Sequence, residues 1–494
     1  MPRFQLPKEP KRFEFKVPEG LKKLLRRPQP DRRGYDRHGS GNGNRNGNGE
    51  GPTVTRRSFA LGAAAAAGAV GVGALVVRNL TLKRDKAASE DPSAPLVVDS
   101  GDATNITEEF EQVEDLRLVE RASWTLPLGS ILNAAEGTWL PVVQPGADSA
   151  SITAAGAFNI STGENPLVVP TPINNTPATL VLDARCSDSV YAWSEIDLST
   201  RAWTLYGSAF ANGQLSGSAT ALWSADANWD PPFFCCTGNQ VLWQVQPSLT
   251  GDKTQENSHL YRWQLGSSSA DILMESPGRF ACEPSVSKDC VTVVPRVAGK
   301  TASAYYGITA LSKTDPTQQI DQLVMPATVR PFRATRIGDQ FAFAVEATYG
   351  SGGLLANMGY YLGTSSSHIT WLSREPAAGI WGRDGVYAFK SLSSYIVYDE
   401  PAGTFSVLLA ADRAVDYGEY PAATGDTDSF VTYSTVKDST TGYPTGVYVR
   451  AYDLLTSEQM AQKKAEEAKA KAQEEAEKAD EEQARAEAEE SEEY

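Results

Sequence analysis

The chain has 494 residues, enough for one large domain or several ordinary ones. Its formal net charge is −16, unevenly spread: residues 1–86 carry 19 Lys+Arg against 7 Asp+Glu, residues 87–456 carry 20 against 40, and residues 457–494 carry 6 against 14. So acidic a body excludes nucleic-acid binding as its task. Three scattered histidines (His38, His259, His368) exclude a histidine-based zinc or copper site, and neither metal nor cofactor is expected.

Residues 1–52 read as a disordered basic segment. The tract SGNGNRNGNGEG at 40–51 is a flexible polar linker. GLKKLLRR at 20–27 could form a short basic turn of helix on an anionic membrane face, but a long basic export region with no separate task is the plainer reading.

Residues 53–86 hold TRRSFAL at 55–61, and an uncharged run of mainly Ala, Gly and Val fills 59–77. A run of about 20 apolar residues is enough to span a bilayer. A buried core helix is the competing reading. It is weakened by the Gly/Asn tract before the run and by Arg78, Lys83, Arg84 and Lys86 after it. Arg56, Arg57 and Phe59, set before such a mild run, resemble a twin-arginine (Tat) export signal. That resemblance implies the Tat translocase as an export partner. The basic residues concentrated before the run imply a cytoplasmic N-terminus and an extracytoplasmic body, single-pass in a bacterial cell membrane. Cleavage near 72–74 or 87–89, releasing the body, is the alternative.

Residues 87–119 read as a linker, and residues 120–456 as a repeat. An acidic or amide residue precedes alternating bulky residues at Glu136, Asp188, Asn239, Asp289, Asp339, Asp384 and Asp428. The spacings run 52, 51, 50, 50, 45 and 44. Each start predicts a tight hairpin between an inner strand and the next, and each unit supplies about four short strands. Antiparallel units at this period predict an all-β fold, a seven-bladed β-propeller. The last unit lacks an outer strand, while residues 122–128 (ASWTLPL) form a strand without a blade. They are expected to pair beside 447–455 and close the ring. The chain thus resembles Tat-exported seven-bladed propellers of the TolB-like and quinoprotein-like kind, in architecture only.

Residues 457–494 are rich in Ala, Glu, Lys and Gln, and 457–490 contain no Gly or Pro, which predicts a long charged helix. Its alanine seam allows a coiled coil, but a lone solvated helix fits better.

Enzyme signatures are sparse. No G-x-S-x-G, H-E-x-x-H or Gly-rich phosphate loop occurs. DLSTRAW at 197–203 resembles a quinoprotein docking turn and SADANW at 224–229 a sialidase Asp-box, each incompletely. Ordinary hairpin chemistry explains both. Of five cysteines, Cys282 could pair with Cys235 or Cys236 in an oxidising compartment, and buried free thiols are the equal alternative.

One constellation remains. Nine or ten residues before successive starts stand Trp229, Arg279, Arg330 and Arg374, with Arg333 and Arg413 in similar loops. Equivalent offsets predict an arc of guanidinium groups at one channel mouth, suited to an anionic ligand. Neutralisation by Glu275 and Glu375 in inter-blade salt bridges is the structural alternative. The reading is therefore a non-enzymatic cell-envelope binding or scaffold protein whose partner is an envelope protein or anionic wall polymer. The alternative is an extracellular propeller hydrolase or lyase acting on glycans or peptides.

Overall fold

The computed structural model describes residues 95–492 apart from 147–150, 299–303, 351–352, 366–367, 375–377, 393 and 412–417, with side chains followed to Glu481. Arg56, Arg57, Phe59 and the uncharged run 59–77 lie outside the described residues. No helix among the described residues is long and apolar enough to cross a membrane.

A hairpin stands where the repeat predicts one. Gly238, at φ +50°, turns Thr237 back onto Gln240, and Gly338, at φ +60°, does the same between Ile337 and Gln340. Asp384 and Gly385 both have positive φ (49° and 75°), as a two-residue turn of type I′ requires. These turns organise the described residues into seven antiparallel sheets, the blades of a propeller. The innermost strands are, in order, Ile131–Leu132, Thr179–Cys186, Trp229–Thr237, Ser285–Val286, Arg333–Ile337, Trp381–Arg383 and Glu419–Pro421. Blade 3 shows the plan: Trp229–Thr237 pairs with Gln240–Pro247, then Ser258–Gln264, then Asp271–Ser276.

A blade is covered by neighbours on both faces, so its middle strands bury successive residues rather than alternate ones. All eight residues of Gln240–Pro247 are buried. Trp193, Trp203, Trp243 and Trp381 are wholly enclosed. Burying a large aromatic is worth about 4–6 kcal/mol of transfer free energy.

The ring closes as expected, with a longer strand. Leu118–Leu126 pairs antiparallel with Pro444–Leu454 and completes blade 7, Trp124 lying opposite Val449. The residues just before it strap the preceding blades. Leu96 N–H donates to Val324 O on blade 4, Ala103–Asn105 pairs parallel with Ile369–Leu372 on blade 5, and Glu111–Gln112 pairs parallel with Thr404–Leu409 on blade 6. This belt covers outer edges that would otherwise present unpaired backbone groups.

After blade 7 the chain enters the helix Ser457–Glu492. Thr456 and Gln459 cap it reciprocally, each backbone N–H donating to the other's side chain. Lys478 meets Glu474 at 2.6 Å one turn away, and Lys464 reaches Asp115 of the belt at 2.7 Å. Residues 461–481 are exposed, which fits a solvated single helix.

Candidate functional site

Inner strands run from the mouth where each blade is entered toward the mouth where the first hairpins turn. At the hairpin side two turns cross the channel. Glu136, on blade 1, accepts from Gly238 N–H of blade 3 at 3.3 Å and pairs with Lys313 of blade 4 at 3.3 Å. From blade 7, Asp426 N–H donates to Ser287 Oγ of blade 4 at 3.2 Å, and Gly425 N–H donates to Ile380 O of blade 6 at 2.8 Å. Glycine is needed at 425: φ is +75°, and a Cβ would lie 2.5 Å from Val286 O. These loops floor the channel.

Above the floor lies a cavity of about 200 Å³ walled by residues of six blades, among them Asn133, Arg185, Glu283, Arg333, Tyr420 and Tyr433. Its charge is concentrated in one linked set. Asp183 Oδ1 accepts from Asn133 Nδ2 at 3.0 Å, from Ala184 N–H at 2.8 Å and from Arg185 Nη1. Arg185 Nη2 reaches Glu283 Oε2 at 3.4 Å, and Arg333 Nη2 meets Glu283 Oε1 at 3.2 Å. Burial raises the Asp183 carboxyl above the usual carboxylate range; Arg185 opposes this and Glu283 adds to it. Burial also pushes the Tyr433 hydroxyl up to about 12. Tyr420, 38% exposed, sits on the innermost strand of blade 7 with its ring tilted against that of Tyr433, centroids 6.2 Å apart.

The arginines expected at the mouth separate into different jobs. Arg279 pairs with Asp230 at 2.8 Å and donates to Pro247 O, stapling the entry of blade 4 to blade 3. Arg330 donates to Ala281 O through Nε (3.2 Å) and Nη2 (2.8 Å), joining the entry of blade 5 to blade 4. Arg374 is exposed and donates only to Ser373 O, at 2.8 Å, among the described residues. Trp229 accepts from Trp203 Nε1 through its carbonyl and carries Lys253 over its ring at 5.0 Å. Arg413 and Glu375 lie outside the described residues. Glu275 pairs with His259 at 3.9 Å rather than with an arginine. Of the five that are described, Arg333 alone joins the channel set. Asp183, Arg185 and Glu283 were missed. Their signal is a pair of charges two residues apart in the otherwise mainly apolar inner strand TLVLDARC, and Glu283 and Arg333 each six residues before a start.

The two look-alike turns are hairpins. Asp197 accepts from Ser199 and Thr200 backbone N–H groups, and Asp226 from Asn228 N–H. All five cysteines are buried and free. Burial pushes the Cys235, Cys282 and Cys290 thiols up to about 12.

The sequence matches no described protein-family model and none of the curated proteins compared with it. Its fold is similar to solved propellers. The β-propeller domain of the Trilobed protease from Pyrococcus furiosus is 8% identical over 68% of this chain and 97% of that one, with a TM-score of 0.42. Acylaminoacyl peptidase of Pyrococcus horikoshii is 11% identical over 69% of this chain, TM-score 0.42. Puromycin hydrolase is 13% identical over 70%, TM-score 0.41. The match spans 54% of the length of each of the latter two proteins. The expectation of a non-enzymatic envelope scaffold is corrected on this finding, since these propellers are parts of hydrolases. The likeness itself is one of fold.

Proposed function

We propose that the propeller is the substrate-handling part of a hydrolase, and that it takes a short peptide into its floored channel. The observation that supports this is the linked set Asp183–Arg185–Glu283–Arg333 in the channel wall, flanked by Tyr420 and Tyr433. Both signs of charge beside aromatic rings match a ligand that has charged ends and an apolar body. The test is calorimetric titration with di- to tetrapeptides, combined with mass spectrometry of the products. Arg333→Ala should weaken binding at least tenfold, because Arg333 is the most exposed member of the set, at 31%. Unchanged affinity in that variant would overturn the assignment of the site.

One observation favours glycans as a second reading. Asp183, whose carboxyl pKa is raised chiefly by burial, shares Arg185 with a second carboxylate, Glu283. A pair of carboxyl groups, one with a raised pKa, is the chemistry that glycoside hydrolysis uses. Release of reducing ends from wall oligosaccharides, abolished in both Asp183→Asn and Glu283→Gln, would decide for it.

We also propose export by the Tat route, on the strength of Arg56, Arg57 and the uncharged run behind them. Arg56→Lys with Arg57→Lys should leave the protein in the cytoplasm. Continued export of that variant would overturn the assignment.

A further inference from the structure

The floor restricts what can enter the channel. A ligand that threads a propeller needs two open mouths, and here loops from blades 1 and 7 bond to blades 3 and 4 across one of them. The cavity above the floor, about 200 Å³, is also smaller than the roughly 300–1,000 Å³ of sites that enclose drug-sized ligands. Such a well has room for the end of a chain and not for its middle.

The charges around the well distinguish the two ends. Its lining carries two guanidinium groups, Arg185 and Arg333, against one carboxylate, Glu283. Glu283 pairs with both arginines, so its charge is already committed. Asp183 stands back from the cavity and pairs with Arg185. These four charges cancel, and a further cation is left over. Lys390, 1% exposed, holds its ammonium 5.2 Å from the ring of Tyr420, which lines the well. Burial lowers the pKa of Lys390 only to about 8, so it is charged at pH 7. Glu419, the carboxylate that acts on it, already accepts from Arg450 and from the Thr432 hydroxyl. The local balance is positive.

The uncommitted donors point the same way. Tyr433 lines the well, and among the described residues its hydroxyl has no hydrogen-bond partner. Arg333 gives Nη1 to Phe332 O and Nη2 to Glu283, no described residue accepts from its Nε, and its side chain keeps 31% exposure. A carboxylate is an acceptor on both oxygens and suits such donors, whereas an ammonium only donates. Strand register places an apolar surface at the same depth. Arg333 pairs with Ala344 and Tyr420 with Tyr433, equivalent places past the starts Asp339 and Asp428. Ile380, between them in blade order, also lines the well.

We infer that the well binds the free carboxyl end of a peptide, with the terminal carboxylate accepting from Arg333 and the Tyr433 hydroxyl and the last side chain against Tyr420 and Ile380. This rests on the peptide reading above and specifies which end of the peptide is recognised. It makes the protein selective for chain ends and indifferent to internal sequence.

The experiment is titration of the full chain at pH 7 with the tripeptide Ala-Ala-Phe, its C-terminal amide and its N-acetyl form. Amidation should weaken binding at least tenfold and acetylation should change it less than twofold. Tyr433→Phe keeps the ring and removes the donor. It should weaken the free acid about tenfold, as expected for a lost hydrogen bond to a charged group, and the amide less than twofold. A loss shared equally by acid and amide in that variant would overturn the role of the hydroxyl. On the unaltered protein, equal binding of acid and amide would overturn the carboxyl-end inference and leave the peptide reading standing. Loss on acetylation alone would overturn it in favour of the amino end. Binding of none of the three would overturn both.

Discussion

Glu136 and Lys313 belong to blades three places apart in the ring, yet their charged atoms meet at 3.3 Å. The contact is possible only because the blade 1 turn reaches across the channel mouth. Gly425 does the same from blade 7, so the two blades on either side of the closing seam both contribute to the floor. Closing the ring and closing the channel are therefore coupled. A floor built from seam blades stays in place only while Leu118–Leu126 holds blade 7 together.

Gly425→Ala should test the floor. The backbone there has φ +75°, and the added Cβ would lie 2.5 Å from Val286 O and 2.8 Å from Ser287 Oγ. A main-chain oxygen cannot rotate aside, so the turn must lift. The expected cost is about 1–3 kcal/mol, read as a lower melting temperature. A variant that melts like the parent would mean that the floor is loosely seated.

Removal of residues 1–126 should open the ring. It strips the outer strand from Pro444–Leu454 along with the belt over blades 4 to 6. The bared edge should pair between molecules. Loss of cooperative melting, with aggregation on size-exclusion chromatography, is the expected outcome. Trp124→Ala is the milder probe. Trp124 meets Phe158 of blade 1 edge-to-face at 5.3 Å and is only partly buried. Its removal should cost about 2 kcal/mol, less than for a wholly enclosed tryptophan.

What was legible in the sequence had a local cause. Gly238, Gly338 and the Asp384–Gly385 pair announce their turns because few other residues accept positive φ. The closing strand is legible because Trp124 stands in a run of strand formers with no partner of its own. The belt is not. Ala103–Asn105 and Glu111–Gln112 pair through backbone groups at a sheet edge, and such pairing leaves no side-chain period. The channel set is hidden for a different reason. Asp183 and Arg333 are 150 residues apart, and their radial depth depends on strand register and on the bulge between Val181 and Asp183. The loop arginines were visible by their offset, but offset places a residue around the axis without saying what it touches. Arg279 and Arg330 turn back onto the preceding blade.

The cysteines should resist alkylation. Cys235, Cys282 and Cys290 have thiols pushed up to about 12 by burial, so the thiolate is scarce at pH 8. Iodoacetamide should label none of the five in the folded protein and all five in guanidinium, as counted by intact mass. Rapid labelling of the native protein would contradict the burial.

Lys390 carries the last prediction. It is 1% exposed on blade 6, with its ammonium 5.6 Å from the Tyr395 ring and 5.2 Å from the Tyr420 ring. Burial lowers its pKa from 10.5 to about 8, and the charge of Glu419 restores only part of the difference. A lysine whose folded pKa is depressed destabilises the fold while it is charged. The unfolded chain binds the extra proton between about pH 8 and 10.5, so in this window stability rises with pH. Below pH 8 the full cost of about 3 kcal/mol applies. Lys390→Met keeps the length of the side chain and removes the charge. It should therefore melt higher than the parent at pH 7, and the gap should narrow steadily from pH 8 to 10.5. A gap that stays constant across that range would show that the ammonium is compensated in the fold, with the Tyr395 and Tyr420 rings supplying more than packing.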